Sequence, residues 1–232
     1  MNVSNMNELL QRQEELDPEL VPYLHNRNHL GPCIQHPLVY SMMHFPALNA
    51  MVNAQLRYKK EALDAAWEAN DWHSYIWLHE RPYRINAFQE VMDLMSDQAY
   101  WKLLGEAWID SENIRQSPQV WQELMRSKRP EREAIMDEGE LAELAAMSDV
   151  IPVYQGHTAR KHDGWSWTIN RVKAEWFAHR FSMFESSPPV LTEGIVYKRN
   201  VIAYFTSRGE SEIVADRRNV KERKSTNLEP KS

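Results

Sequence analysis

One cysteine, Cys33, stands alone in 232 residues. An intramolecular disulfide is thereby excluded and a cysteine-based zinc site is not expected, so Cys33 reads as a small buried hydrophobe. Glycine is also scarce: between Asn7 and Met147 there are only Gly31, Gly105 and Gly139. The chain has no Gly-x-Gly-x-x-Gly, no phosphate-binding loop and no Gly-x-Ser-x-Gly elbow, which leaves kinase, nucleotide-hydrolase and esterase readings without support. No apolar run approaches the ~18 residues that span a bilayer, and the first residues lack the basic-then-apolar layout of a signal peptide. A soluble, cytoplasmic protein without a membrane partner is expected. Positive charge is not in excess either; the formal net charge is -6, which offers no global attraction to nucleic acid and makes it the less favoured acceptor. The nine histidines contain no His-Glu-x-x-His pattern, so no metal site is expected.

What is present is a 43% hydrophobic fraction with nine tryptophans, enough for a sizeable core. The residues up to Met147 read as helices joined by proline-marked turns. Asn49 to Asn70 carries Val52, Leu56, Leu63 and Trp67 near helical spacing, Ser74 to Leu78 stops before Arg81-Pro82, and Ile85 to Met95 and Asp97 to Ile109 follow as amphipathic helices. Ser117-Pro118 opens another, with the serine at the cap, and Asp137 to Met147 closes this region. After Asp149 the composition turns to short β-branched and aromatic runs: Val150 to Tyr154, Gly194 to Val196, Val201 to Phe205 and Ile213 to Ala215. Between them Ala174, Phe177, Ala178 and Phe181 form a helical stripe, and Thr168 or Asn170 can cap it. From Arg217 to Ser232 little apolar surface remains, and a disordered basic tail is expected.

Four short signatures lie in order within Asp149 to Asp216: Val153-Tyr154-Gln155-Gly156, Gly164-Trp165-Ser166-Trp167-Thr168, the helical run Ala174 to Phe181, and Glu210-Ser211-Glu212 leading into Ile213-Val214. Their order and spacing resemble the NAD-binding core of the mono-ADP-ribosyltransferase superfamily, in phage- or toxin-like form. There a strand ending in Tyr-(Arg or His)-Gly precedes a Ser-Thr-Ser-like strand, an Ala-x-x-Phe-Ala helix and a Glu-x-Glu pair. Gln155 stands where the family has Arg or His, and Arg160 or Arg171 is then a candidate to supply the missing cation.

The resemblance implies an α+β protein: a helical region over residues 1–147 packed on a small mixed β/α core over 148–216, with 217–232 as the tail. It implies NAD as substrate, and transfer of ADP-ribose to a macromolecular acceptor, most plausibly a protein arginine. Glu212 would stabilise the oxocarbenium-like ribose, Glu210 would orient the acceptor, and Ser166 would support Glu212. Tyr154, Gln155, Gly156, Trp165, Ser166, Trp167 and Thr168 would line the NAD site. Tyr154, Trp165 and Phe184 are candidates to stack on the substrate, with a core role favoured for each; His157 reads as a loop histidine. Two alternatives remain open: an NAD glycohydrolase using water as acceptor, and a non-catalytic interaction protein on a degenerate core.

Overall fold

Among the described residues, two antiparallel sheets and seven α-helices make an α+β fold. The computed structural model describes residues 13–26, 31–111, 114–159 and 164–229. The described residues form two compact units: one comprises the chain up to Met95 with Asp110–Pro118, the other Ser96–Ile109 with the chain from Gln119 onward.

The first unit begins with strands β1 (Leu24–Asn26), β2 (Pro32–His36) and β3 (Val39–Ser41), and continues with helices α1 (Asn49–Glu68), α2 (Trp72–Leu78) and α3 (Arg84–Val91). Its core joins Ile34, Leu38 and Val39 of the sheet region to Leu20 and to Val52 and Leu56 of α1. Two buried amides hold the preceding segment on α1. Asn49 Nδ2 donates to Glu14 O (2.9 Å), while Asn53 accepts from Asp17 N (2.9 Å) and donates to Glu15 O (2.8 Å). A buried amide is tolerated when its polar atoms find such partners, as those of Asn53 do. Asn70 turns the chain in the left-handed region, and Asp71 then caps α2 by accepting from Ser74 N (3.0 Å).

The second unit contains α4 (Asp97–Asp110, whose last residue belongs to the first unit), α5 (Pro118–Met125, whose first residue belongs to the first unit), α6 (Glu138–Ala146), β4 (Val150–Thr158), β5 (Ser166–Thr168), α7 (Arg171–Glu185), β6 (Pro189–Tyr197), β7 (Ala203–Phe205), β8 (Glu212–Val214) and β9 (Val220–Asn227). The six strands are ordered β7-β8-β5-β4-β6-β9, antiparallel throughout. Side chains alternate across a strand. Ile151 and Val153 of β4 therefore join Trp167, Val196, Tyr204 and Ile213 in a core on one face, with Met136, Leu144 and Met147 packed against it from the α6 region. The opposite face of β4 receives α7. At Gly156 a Cβ would lie 1.8 Å from Ala174 O and 2.6 Å from Ala178 N, so only glycine lets the helix sit this close.

Helix α6 is fastened at its start. Asp137 and Glu140 form a capping box, and the buried Glu140 carboxylate also accepts from Thr206 N (2.9 Å) just after β7.

Three expectations are corrected. The region before Met147 is not helical alone: β1 to β3 are three to five residues long, too short to show alternation in sequence. The compact units do not divide at residue 147, because α4 to α6 cluster with the six-stranded sheet. Within the expected disordered tail, Val220–Asn227 instead form the edge strand β9, paired with β6 from Val196↔Val220 to Val190↔Asn227, and residues 230–232 lie outside the described residues. Its side chains are almost all exposed, and its stability comes from ladder hydrogen bonds and Val220 rather than from an apolar face. Smaller adjustments also appear: Ile85 to Met95 breaks into α3 and a 3-10 turn at Met92–Leu94. Within α7 the buried residues are Ala174 and Ala178, while Phe177 and Phe181 stack on each other on the flank (5.8 Å).

Two outcomes follow. Gly156→Ala should cost about 3 kcal/mol or unfold the second unit, since backbone of α7 must move to admit the methyl group. A chain ending at Asn219 should lose several degrees of thermal midpoint by circular dichroism; an unchanged midpoint would return β9 to the status of a dispensable tail.

Candidate functional site

The antiparallel register places the signature residues on known faces. Tyr154 of β4 lies opposite Thr168 of β5, Thr168 opposite Glu212 of β8, and Glu212 opposite Phe205 of β7. Directly paired residues share a face. Tyr154, Thr168 and Glu212 thus form one cross-strand row, with Ser166 on the same face one pair further along β5, opposite Val214. Three distant stretches of sequence converge there.

Glu212 begins β8 and is half-buried. Its Oε1 accepts from the indole Nε1 of Trp108 on α4 (3.2 Å). Trp108 is itself buried and packs edge-on against Trp121 of α5, which fixes the direction of its N–H. Trp108 carries no motif signal; what marks it in sequence is only its place on the apolar side of a helix.

Thr168 ties the row to the loop before β8. Its hydroxyl donates to Glu210 O (2.6 Å) and accepts from Asn170 N (3.0 Å), and Ile169 N donates to Ser211 O (3.2 Å). Ser211, between the two glutamates, has φ 47°, a left-handed turn that reverses the chain into β8. Behind the loop, Tyr204 donates to Glu143 Oε2 (3.1 Å). Burial pushes the Tyr204 phenol up, as does the Glu143 carboxylate, while Ser211 opposes them.

The remaining signature residues are placed differently. Gln155 alternates to the face of Val153, is buried, and donates from Nε2 to Ser166 O (2.8 Å). The β4–β5 ladder has a single bridge, Tyr154↔Thr168, and the Gln155 amide makes the link where the ladder stops. Gly156 serves the approach of α7. Trp167 belongs to the core on the Gln155 face. Trp165 is buried under the guanidinium of Arg126 (5.0 Å), as its favoured core role anticipates. Phe184 lies on α7 and is exposed, so the core role favoured for it does not hold. His157 is not a loop residue: it is buried in β4, with Nε2 2.9 Å from Thr192 Oγ1, which in turn meets Ser225 Oγ of β9 (2.8 Å). Of the two substitute cations, Arg160 lies outside the described residues. Arg171 is the first residue of α7 and reaches Glu193 (3.4 Å), the β6 partner of Tyr154, so it stands beside the row. Bonds to Glu175 and the nearby Glu193 carboxylate push the Arg171 guanidinium up. Among the described residues there is no His, Cys, Asp and Glu cluster able to hold a metal ion.

Asp216, just past β8, anchors this end of the sheet. Its carboxylate accepts from Arg126 Nε (2.8 Å) and Arg218 Nη2 (2.7 Å). Burial pushes this carboxyl up, but the hydrogen bonds from Arg218 and Arg126 outweigh it and hold it down at about 2. A depressed folded-state value means stabilisation present above the unfolded value near 4 and lost as the pH falls towards 2. Asp216→Asn should therefore cost about 1–2 kcal/mol at neutral pH, allowing for the exposure of Arg218 to solvent. In urea unfolding the two proteins should converge near pH 2; a constant difference at all pH would refute the ionic origin.

No family model matches the chain, and no curated protein or solved structure is significantly similar to it.

Proposed function

We propose that the protein is an ADP-ribosyltransferase that cleaves NAD between nicotinamide and ribose and passes ADP-ribose to a macromolecular acceptor, with protein arginine the favoured one. One observation carries the reading: the Glu212 carboxylate is set on a short inner strand, in a row with Thr168 and Tyr154, with a buried indole N–H on one oxygen.

The chemistry asks for that arrangement. When the C1′–N bond of NAD breaks, its electron pair leaves with nicotinamide, which becomes neutral, and the ribose acquires oxocarbenium character. A carboxylate already oriented by strand and indole stabilises that charge without reorganising during the reaction. Glu210 sits two residues earlier on a loop whose backbone Thr168 holds. As a guanidinium nitrogen of the acceptor bonds C1′ it must lose a proton, and Glu210 is the group assigned to take it. Arg171, beside Tyr154, is assigned the diphosphate contact that Gln155 cannot make.

A second reading is favoured by a specific observation: the position where the family carries its cation is committed to an internal bond, Gln155 to Ser166. That favours an interaction protein on a core that has lost turnover. Adenylate-labelled NAD incubated with the protein and a cell lysate separates the possibilities. Labelled protein with nicotinamide release supports transfer, nicotinamide release alone indicates a glycohydrolase, and no release with no heat of NAD binding at millimolar concentration indicates the interaction protein.

Glu212→Gln should lower both nicotinamide release and transfer by about a hundredfold or more, with an unchanged unfolding midpoint. Glu210→Ala should depress transfer while sparing hydrolysis; equal loss of both would remove its assigned role. Trp108→Phe should lower kcat by about tenfold with little change in KM, as expected for a group that orients Glu212 rather than binding NAD.

A further inference from the structure

Helix α7 carries a second, largely apolar ridge that faces outward. Its inner side is made of small residues, Ala174 and Ala178, set against β4 at Gly156. Successive residues advance about 100° around a helix, so the opposite ridge carries Val172, Trp176, Arg180 and Met183, with Phe184 beside it. The exposures are those of an uncovered surface: Val172 74%, Trp176 45%, Met183 83% and Phe184 78%. On an ordinary surface helix this ridge is polar. The cations among these residues lie on the aromatic ring itself, with Lys173 Nζ 5.2 Å and the Arg180 guanidinium 5.2 Å from the Trp176 centroid. The carboxylates of the helix are turned elsewhere: Glu175 is bonded by Arg171, and Glu185 accepts from Thr158 Oγ1 on the sheet.

We propose that this ridge docks the protein peripherally on an anionic lipid bilayer. Val172, Trp176, Met183 and Phe184 enter the boundary between headgroups and acyl chains, and Lys173 and Arg180 meet the phosphates. Charge complementarity selects this occupant. An apolar ridge flanked by cations matches a surface that is apolar below and negative above. A second copy fits badly, since two-fold pairing of the ridge would set the Lys173 and Arg180 cations of one copy against those of the other. Single-stranded nucleic acid needs open ring faces, whereas Trp176 carries two cations, Phe177 and Phe181 stack on each other, and Val172 and Met183 give no stacking. No helix among the described residues is long and apolar enough to cross a membrane. The expectation of no membrane partner rested on that lack of a spanning segment; lying on a bilayer needs only a face.

The test is co-sedimentation of the full-length protein with phosphatidylcholine vesicles, with and without about 30% phosphatidylserine. Binding should be at least tenfold stronger to the anionic vesicles and should weaken about tenfold when salt rises from about 0.1 M to 0.5 M. The double variant Met183→Glu/Phe184→Glu should lose binding at least tenfold with an unchanged thermal midpoint, because both side chains are already exposed. Lys173→Glu/Arg180→Glu should abolish the preference for phosphatidylserine. Sedimentation does not depend on NAD turnover, so its result is independent of the enzymatic reading. Failure to bind anionic vesicles, or equal binding by the double variants, would overturn the proposal. So would wild-type dimerisation or oligonucleotide binding that the same substitutions abolish without any vesicle binding.

Discussion

The approach of α7 to β4 at Gly156 is the constraint on which the second unit depends. With no side chain at residue 156, the helix backbone comes into contact with the strand, and small residues at 174 and 178 keep it there. That seat positions the start of α7, where Asn170 caps by accepting from Lys173 N (3.1 Å) and donates its own N–H to Thr168 Oγ1 (3.0 Å). Thr168 in turn holds the Glu210 loop. A missing methyl group on β4 is thus connected, through a helix cap and one hydroxyl, to the placement of Glu210 and Glu212. The same seat determines which side of α7 faces outward.

Buried charge in this unit is compensated locally, and each compensated group joins distant parts of the chain. Glu140 serves both as a reciprocal cap for α6 and as the acceptor for Thr206 N after β7. Asp216 binds Arg126, whose guanidinium also covers Trp165. Glu212 takes the Trp108 N–H. A buried carboxylate left without such donors is strongly penalised, so removing a partner of Glu140 or Asp216 would be felt in folding. Glu212 is only half-buried, and a change there acts on the site rather than on the fold.

Much of the second unit was legible in the sequence because its signals are local. Strand runs at Val150, Gly194 and Ile213 and the cap at Asn170 depend on composition and spacing within a few residues, and the helices at Asp97 and Asp137, like the one at Asn49 in the first unit, show sustained 3.6-residue periodicity. The six-strand order and the row Tyr154, Thr168, Glu212 are products of register, which no local pattern encodes. Gln155 illustrates the difference. Its position in a motif points towards a ligand, whereas its buried amide completes a gap between two strands. The strands β1 to β3 were missed because each is too brief to alternate, and β9 because its charged side chains resemble a tail while its backbone makes the ladder.

That charged strand has a further consequence. β9 ends the sheet order, so its outer row of backbone donors and acceptors has no strand beside it among the described residues. Such an edge is a template on which another chain could grow a sheet. Along it run Lys221, Arg223 and Lys224, all exposed, while the one carboxylate among them, Glu222, is paired with Arg217 (3.1 Å). A second β9 approaching edge to edge would bring this cationic row against itself, and the polar residues that follow offer no apolar surface to offset the repulsion. The cations at the end of the chain thereby act as a guard against fibrous self-association, protecting the sheet at the side where it cannot close.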